Sequence, residues 1–135
     1  VDHLAFSARL ALSATGIRQA DVVLGHPSAL VVGDEVYGCP TAFPRCLRVA
    51  PDALAQLRRL CETVRDDFTS QWNAALSALA RGAAPSRDAF AETGDVLLLN
   101  YPAELHPPER TAALPPKCRP GSGGRSRSSR CARRV

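Results

Sequence analysis

The sequence lacks an apolar run of about 18 residues, which is the length that a membrane-crossing helix requires. It also lacks the pattern of a secretory leader. Asp2 stands where basic residues are expected, and Arg9 interrupts the apolar stretch that follows. These absences predict a cytoplasmic protein without a membrane span.

Closely spaced cysteine pairs are missing as well, because no C-x-x-C motif occurs among the five cysteines. An odd number of cysteines without a secretory leader argues against a disulfide framework. No nearby histidine completes a zinc-binding set. The sequence therefore predicts no metal site, and the thiols are interpreted as buried or incidental: Cys39, Cys46, Cys61, Cys118 and Cys131.

The common signatures of catalysis and nucleotide binding are absent. The chain contains no G-x-G-x-x-G, Walker A, H-E-x-x-H or G-x-S-x-G motif. Asp66 and Asp67 adjoin on a predicted helix but point in different directions, so they do not form a carboxylate pair. Cys61 lies on an apolar helical stripe and is expected to be unreactive. The sequence itself assigns no catalytic residue and no cofactor.

Charge divides the chain into two compositions. The net charge is +4, with 17 basic and 13 acidic residues. Seven of the basic residues and none of the acidic ones lie in residues 117–135, which leaves residues 1–116 with a charge of −3. We predict a partial α/β domain over residues 1–101, a proline-rich connector over 102–116 and a disordered basic tail over 117–135.

The first elements follow from apolar spacing and from glycine. Residues 3–15 are predicted to form a helix that ends at Gly16. Residues 21–24 are predicted to form a short buried strand. The apolar residues at helical spacing in the first segment are Leu4, Ala8, Ala11 and Leu12.

The clearest predicted element is a helix over residues 52–81, with Pro51 in its first turn and Gly82 at its C-terminal cap. Before it, residues 29–37 are expected to form a helix or a strand, and residues 41–43 an edge strand. The predicted apolar face of the long helix contains Leu57, Cys61, Val64, Phe68, Trp72, Leu76 and Leu79.

Residues 83–92 are expected to be a loop with one short turn. The unbroken apolar run Val96–Leu99 then predicts a strand that is buried on both faces, as in a parallel sheet. The prolines of residues 102–116 predict an extended connector and not a helix. The fold class is therefore α/β, with an incomplete Rossmann-like parallel sheet and one long amphipathic helix.

Two stretches resemble a known family. Residues 20–40 run from the strand Asp21–Leu24 through a loop to the turn Gly38-Cys39-Pro40, and residues 94–116 contain the strand Val96–Leu99 and the proline-rich connector. Both are similar to parts of the acceptor-side domain of GT-B glycosyltransferases, of the UDP-glycosyltransferase-like type found in bacterial natural-product pathways.

The resemblance implies an enzyme that transfers a sugar from a nucleotide donor to a small-molecule acceptor. His26 and Ser28 would line the acceptor side, although His26 also fits an ordinary loop histidine. The catalytic base would precede Val1, and the nucleotide-sugar site would follow Pro116. The resemblance thus implies a truncated protein that is inactive by itself, and no catalytic residue is transferred to it.

The basic tail allows three interpretations. It is a disordered and solvated end, the product of a frameshift after Pro116, or a segment that binds RNA or another polyanion through phosphate contacts. The last interpretation makes the chain a small α/β interaction module, with nucleic acid as the partner of Arg125, Arg127, Arg130, Arg133 and Arg134.

Overall fold

The computed structural model describes residues 1–24, 30–41, 46–100 and 108–114. The described residues form two compact units, one made of those before Leu30 and after Glu92, the other of those from Leu30 to Glu92. Within these ranges, none of the helices has the length and apolar content needed to cross a membrane. The elements are α1 (Phe6–Thr15), β1 (Ala20–Val23), α2 (Pro51–Leu79), β2 (Val96–Leu99) and α3 (Pro108–Ala113).

In the first unit, α1 begins three residues later than predicted and ends where predicted. Gly16 adopts a left-handed conformation, with φ of 67°, and stops the helix. The predicted apolar face is wrong, because Leu4 is exposed and precedes the helix, while Ala8 and Ala11 within it are also exposed. The buried side chain of α1 is Arg9, which has a polar partner on β1 described below.

Strand β1 is hydrogen-bonded on both sides. It pairs in parallel with β2, in a register that runs from Ala20 opposite Val96 to Val23 opposite Leu99. On its other side the Val1 amine donates to the Ala20 carbonyl at 2.7 Å, and Asp2 forms a parallel bridge with Val22. The strands predicted at 21–24 and 96–99 are therefore confirmed, and the described sheet is a parallel pair extended by a short bridged segment.

The two faces of this sheet differ in burial. Asp21, Val23 and Leu97 share a buried face, whereas Val22 and Leu98 share a face that is only partly covered. The prediction that β2 is buried on both faces is wrong for Leu98, which is 36% exposed beside a Leu97 that is 3% exposed. A continuous apolar run predicts the strand but does not reveal which face is covered.

In the second unit, α2 begins at Pro51, as predicted, since a first-turn proline loses no helical hydrogen bond. The helix ends at Leu79, and the cap is Ala80, whose N–H donates to Leu76 O at 2.8 Å. Gly82 adopts φ of 87° in the following turn, so the predicted cap lies two residues too late.

Of the predicted apolar face of α2, only Trp72 and Leu76 are buried. Val64 and Leu79 are more than half exposed, which corrects the prediction for those two positions. The reason is that a short return segment packs along the middle of the helix: Phe90 stacks on Phe68 with ring centroids 4.5 Å apart.

Hydrogen bonds fix the same return segment. The Ala89 N–H donates to Thr69 Oγ1 at 3.1 Å, and Asn73 exchanges two hydrogen bonds with the Ser86 backbone. Tyr37 adds a third ring, stacked on Phe90 at 4.3 Å. Residues 83–92 otherwise form the predicted loop with one short turn, closed by Ala91 N–H to Asp88 O.

Four further predictions meet different outcomes. Residues 30–37 form turns instead of a helix or strand, because Gly33 adopts φ of 60° and the Glu35 carboxylate accepts from Val32 N–H. Pro108–Ala113 form a helix, which corrects the expectation of a wholly extended connector; Pro108 stands in its first turn, where proline is tolerated. The predicted strand at 41–43 and the tail from 117 to 135 fall outside the described residues, apart from Thr41.

The adjacent leucines of β2 provide a matched test of the two sheet faces. Leu97→Ala should lower the free energy of unfolding by about 2–5 kcal/mol, because it leaves a cavity on the buried face. Leu98→Ala should cost about 1 kcal/mol or less. Urea denaturation followed by circular dichroism measures both, and equal losses would show that the two faces are equally buried.

Candidate functional site

The site residues predicted from the sequence lie outside the described ranges. His26 and Ser28 belong to residues 25–29, and the arginines proposed for nucleic-acid binding belong to the tail. The structure does describe the end of strand β1, just before residues 25–29. Strand β1 ends at Val23, directly opposite Leu99 at the end of β2, so both strands end at the same edge of the sheet.

A second candidate site is a buried polar cluster that the sequence analysis did not identify. It consists of His3, Arg9 and Asp21, and none of the three side chains is more than 4% exposed. His3 follows the bridged segment, Arg9 lies on α1, and Asp21 lies on β1. Three segments of the first unit therefore meet at these three side chains.

Asp21 is the centre of the cluster. Its Oδ2 atom lies 3.3 Å from Arg9 Nε and 3.5 Å from His3 Nδ1. The same oxygen accepts a hydrogen bond from the Gly94 N–H at 2.8 Å. Arg9 also donates through Nη1 to the His3 carbonyl at 3.2 Å, so its guanidinium holds both the backbone of residue 3 and the carboxylate.

The electrostatics of the cluster favour a neutral imidazole. Burial lowers the pKa of His3 below its ordinary value of 6.5, and the Arg9 guanidinium lowers it further. The Asp21 carboxylate, whose Oδ2 lies 3.5 Å from His3 Nδ1, opposes this effect, as does the charge of Asp2. Arg9 and Asp21 then form one buried pair of opposite charges with the uncharged His3 beside them.

The turn before β2 closes the cluster from another side. A Cβ atom at Gly94 would lie 2.8 Å from the Gln19 carbonyl oxygen and 3.0 Å from Asp21 Oδ1, so no larger residue fits without movement. Asp95 also ties this turn to β1, since its Oδ2 accepts from Gln19 N–H at 2.9 Å. Glycine at position 94 is thus required by close approach.

The cluster can hold the elements of the first unit together, but it cannot contact a substrate. Asp21 is 0% exposed and Arg9 is 1% exposed. Within the part of the chain that the structure describes, no group of three or more His, Cys, Asp or Glu side chains could hold a metal ion. The arrangement is that of a buried ion pair with a neutral histidine. The cluster thus joins α1, β1 and the first residues of the chain.

Sequence reasoning missed this cluster although two signals were present. Arg9 interrupts an apolar segment of a helix, and Asp21 precedes the two valines of a short strand. A charged residue at a position that the pattern assigns to the core requires a partner of opposite charge. In the structure that partner is Asp21, on the neighbouring strand.

Comparison of the chain with known proteins found no matching family model, no matching curated protein and no matching solved structure.

The buried pair should dominate the stability of the first unit. Asp21→Asn keeps an acceptor for the Gly94 N–H but removes the anion that faces Arg9, so it should lower the free energy of unfolding by about 3–5 kcal/mol. The double variant Arg9→Met/Asp21→Asn should recover a substantial part of this loss. A loss below about 1 kcal/mol in the single variant, measured by urea denaturation, would show that the pair contributes little.

His3 should make stability depend on pH. Because its folded pKa lies below the unfolded value, its contribution is complete above about pH 6.5 and is lost as the pH falls below that value. The free energy of unfolding should therefore fall more steeply between about pH 7 and pH 5 in the parent chain than in His3→Asn. Parallel slopes for the two proteins would contradict a depressed pKa at His3.

Proposed function

We propose that this chain is part of the acceptor-side, Rossmann-like domain of a GT-B-like glycosyltransferase and that it contributes to binding a small-molecule acceptor. The observation that carries the proposal is the parallel, in-register pairing of β1 with β2, which brings the carboxyl ends of both strands to one edge. In open α/β sheets, ligands bind beyond the carboxyl ends of the strands.

The residues at this edge support the proposal. Leu24 and Asn100 follow the two strands directly, and both are exposed. The Asn100 N–H donates to Val23 O at 3.0 Å, so the strands remain paired up to the edge. The chain continues from Leu24 toward His26 and Ser28, which we propose as acceptor-side residues because of their position in the sequence.

The uncovered sheet face supports membership in a larger domain. Ala20, Val22, Val96 and Leu98 are all apolar, and none of them is buried. Parallel sheets have both faces covered, usually by helices, because the connections between parallel strands cross over the faces. We therefore propose that further structure covers this face in the complete domain and that the nucleotide-sugar site belongs to that further structure.

The proposal predicts acceptor binding without turnover. In ¹H–¹⁵N correlation spectra, a flavonoid or simple phenol from an acceptor panel should shift the amide signals of Leu24 and Asn100, whereas UDP-glucose should leave the spectrum unchanged. No glucoside should form when the purified chain is mixed with UDP-glucose and the same panel, since no base and no donor site are assigned to it.

The controls separate edge binding from nonspecific binding. Amides of α2 within the second unit serve as an internal reference and should not shift. Turnover of UDP-glucose by the chain would contradict the proposed dependence on further structure. Ligand-induced shifts that are confined to α2 would contradict the proposed edge.

A further inference from the structure

In the second unit, the turn that contains Cys39 packs against the thiol of Cys61 on α2. Gly38 adopts φ of 80°, and a Cβ atom placed on it would lie 3.6 Å from Cys61 Sγ, so the turn that contains Gly38 contacts the thiol of α2. Cys39 is the next residue, and its N–H donates to Val36 O at 3.0 Å, which fixes the turn. Val36 itself is buried.

Both thiols are accessible in part. Cys39 and Cys61 are free and half-buried, and Cys46 is free and exposed. Burial raises the pKa of the Cys61 thiol, and the neighbouring Cys39 and then Glu62 raise it further. The two sulfur-bearing side chains are therefore close enough to influence each other electrostatically, although they are 22 positions apart in the sequence.

We propose that Cys39 and Cys61 form a redox-responsive thiol pair, which closes to a disulfide by exchange with a low-molecular-weight disulfide such as oxidised glutathione. The Cys39 thiolate attacks one sulfur of oxidised glutathione and releases glutathione, which leaves a mixed disulfide. The Cys61 thiol then loses its proton and attacks Cys39 Sγ, and a second glutathione leaves. Two protein thiols are oxidised, and one glutathione disulfide is reduced to two glutathione molecules.

The order of the two steps follows from the surroundings of Cys61. Its raised pKa leaves less thiolate at neutral pH, which disfavours Cys61 as the attacking group in the intermolecular step. Once the mixed disulfide has formed on Cys39, the second step is intramolecular, and proximity compensates for the low thiolate fraction.

Closure would join the turn segment of residues 30–41 covalently to α2. Tyr37 lies two positions before Cys39 and stacks on Phe90 at 4.3 Å, and Phe90 stacks on Phe68 of α2. The crosslink would therefore act beside an existing noncovalent contact between these segments. It would restrict the separation of the segments in the unfolded chain as well.

Peptide mapping of the full chain tests the proposal. The protein is incubated with oxidised glutathione, the remaining thiols are blocked with iodoacetamide, and the chain is cleaved after arginine. Cleavage places Cys39 in residues 19–45, Cys46 in residues 46–48 and Cys61 in residues 60–65. We expect peptides 19–45 and 60–65 joined, with the loss of two hydrogen masses and of both alkyl labels.

Matched serine variants identify the pair. Cys39→Ser and Cys61→Ser should each abolish the crosslinked peptide, whereas Cys46→Ser should retain it. Circular dichroism of the serine variants verifies that each of them folds like the parent. Alkylation of both thiols after oxidation, a stable glutathione adduct on either cysteine, or a crosslink that requires Cys46 would overturn the proposal.

Discussion

The buried ion pair between Arg9 and Asp21 is the interaction on which the first unit depends. Removing two charges from water costs several kcal/mol for each ion, and only close approach with further hydrogen bonds offsets that cost. Arg9 Nε lies 3.3 Å from Asp21 Oδ2, and the Gly94 N–H satisfies the same oxygen. The positions of α1, of the segment before it and of the turn before β2 are all fixed by this requirement.

The buried cluster that stabilises the first unit lies apart from the proposed binding edge. Asp21 is the second residue of β1, whereas Leu24 follows the carboxyl end of the strand. At about 3.3 Å per residue, the two positions are about 10 Å apart along the strand. The charged groups that hold the unit together therefore lie toward one end of the strand pair, and the proposed ligand edge lies at the other.

Sequence patterns correctly predicted the elements whose formation depends mainly on residues close in the sequence. The period of apolar residues indicated α2, and Pro51 and Gly16 marked helix ends, because propensity and capping act within a few residues. The strand Val96–Leu99 followed from its composition. The burial of Arg9 and the exposure of Leu98 could not be predicted in this way, since each depends on which distant segment covers the position.

The same distinction applies to the sites. His26 and Ser28 came from a resemblance, while the polar cluster and the thiol pair required residues from different elements to be seen together. The most informative difference from the sequence prediction is that several apolar side chains expected to be buried are exposed. Each buried Å² of apolar surface contributes roughly 25 cal/mol, so exposed positions such as Leu98 on β2 and Leu60 on α2 forgo stabilisation. We propose that further structure covers this sheet face, since parallel sheets usually have both faces covered.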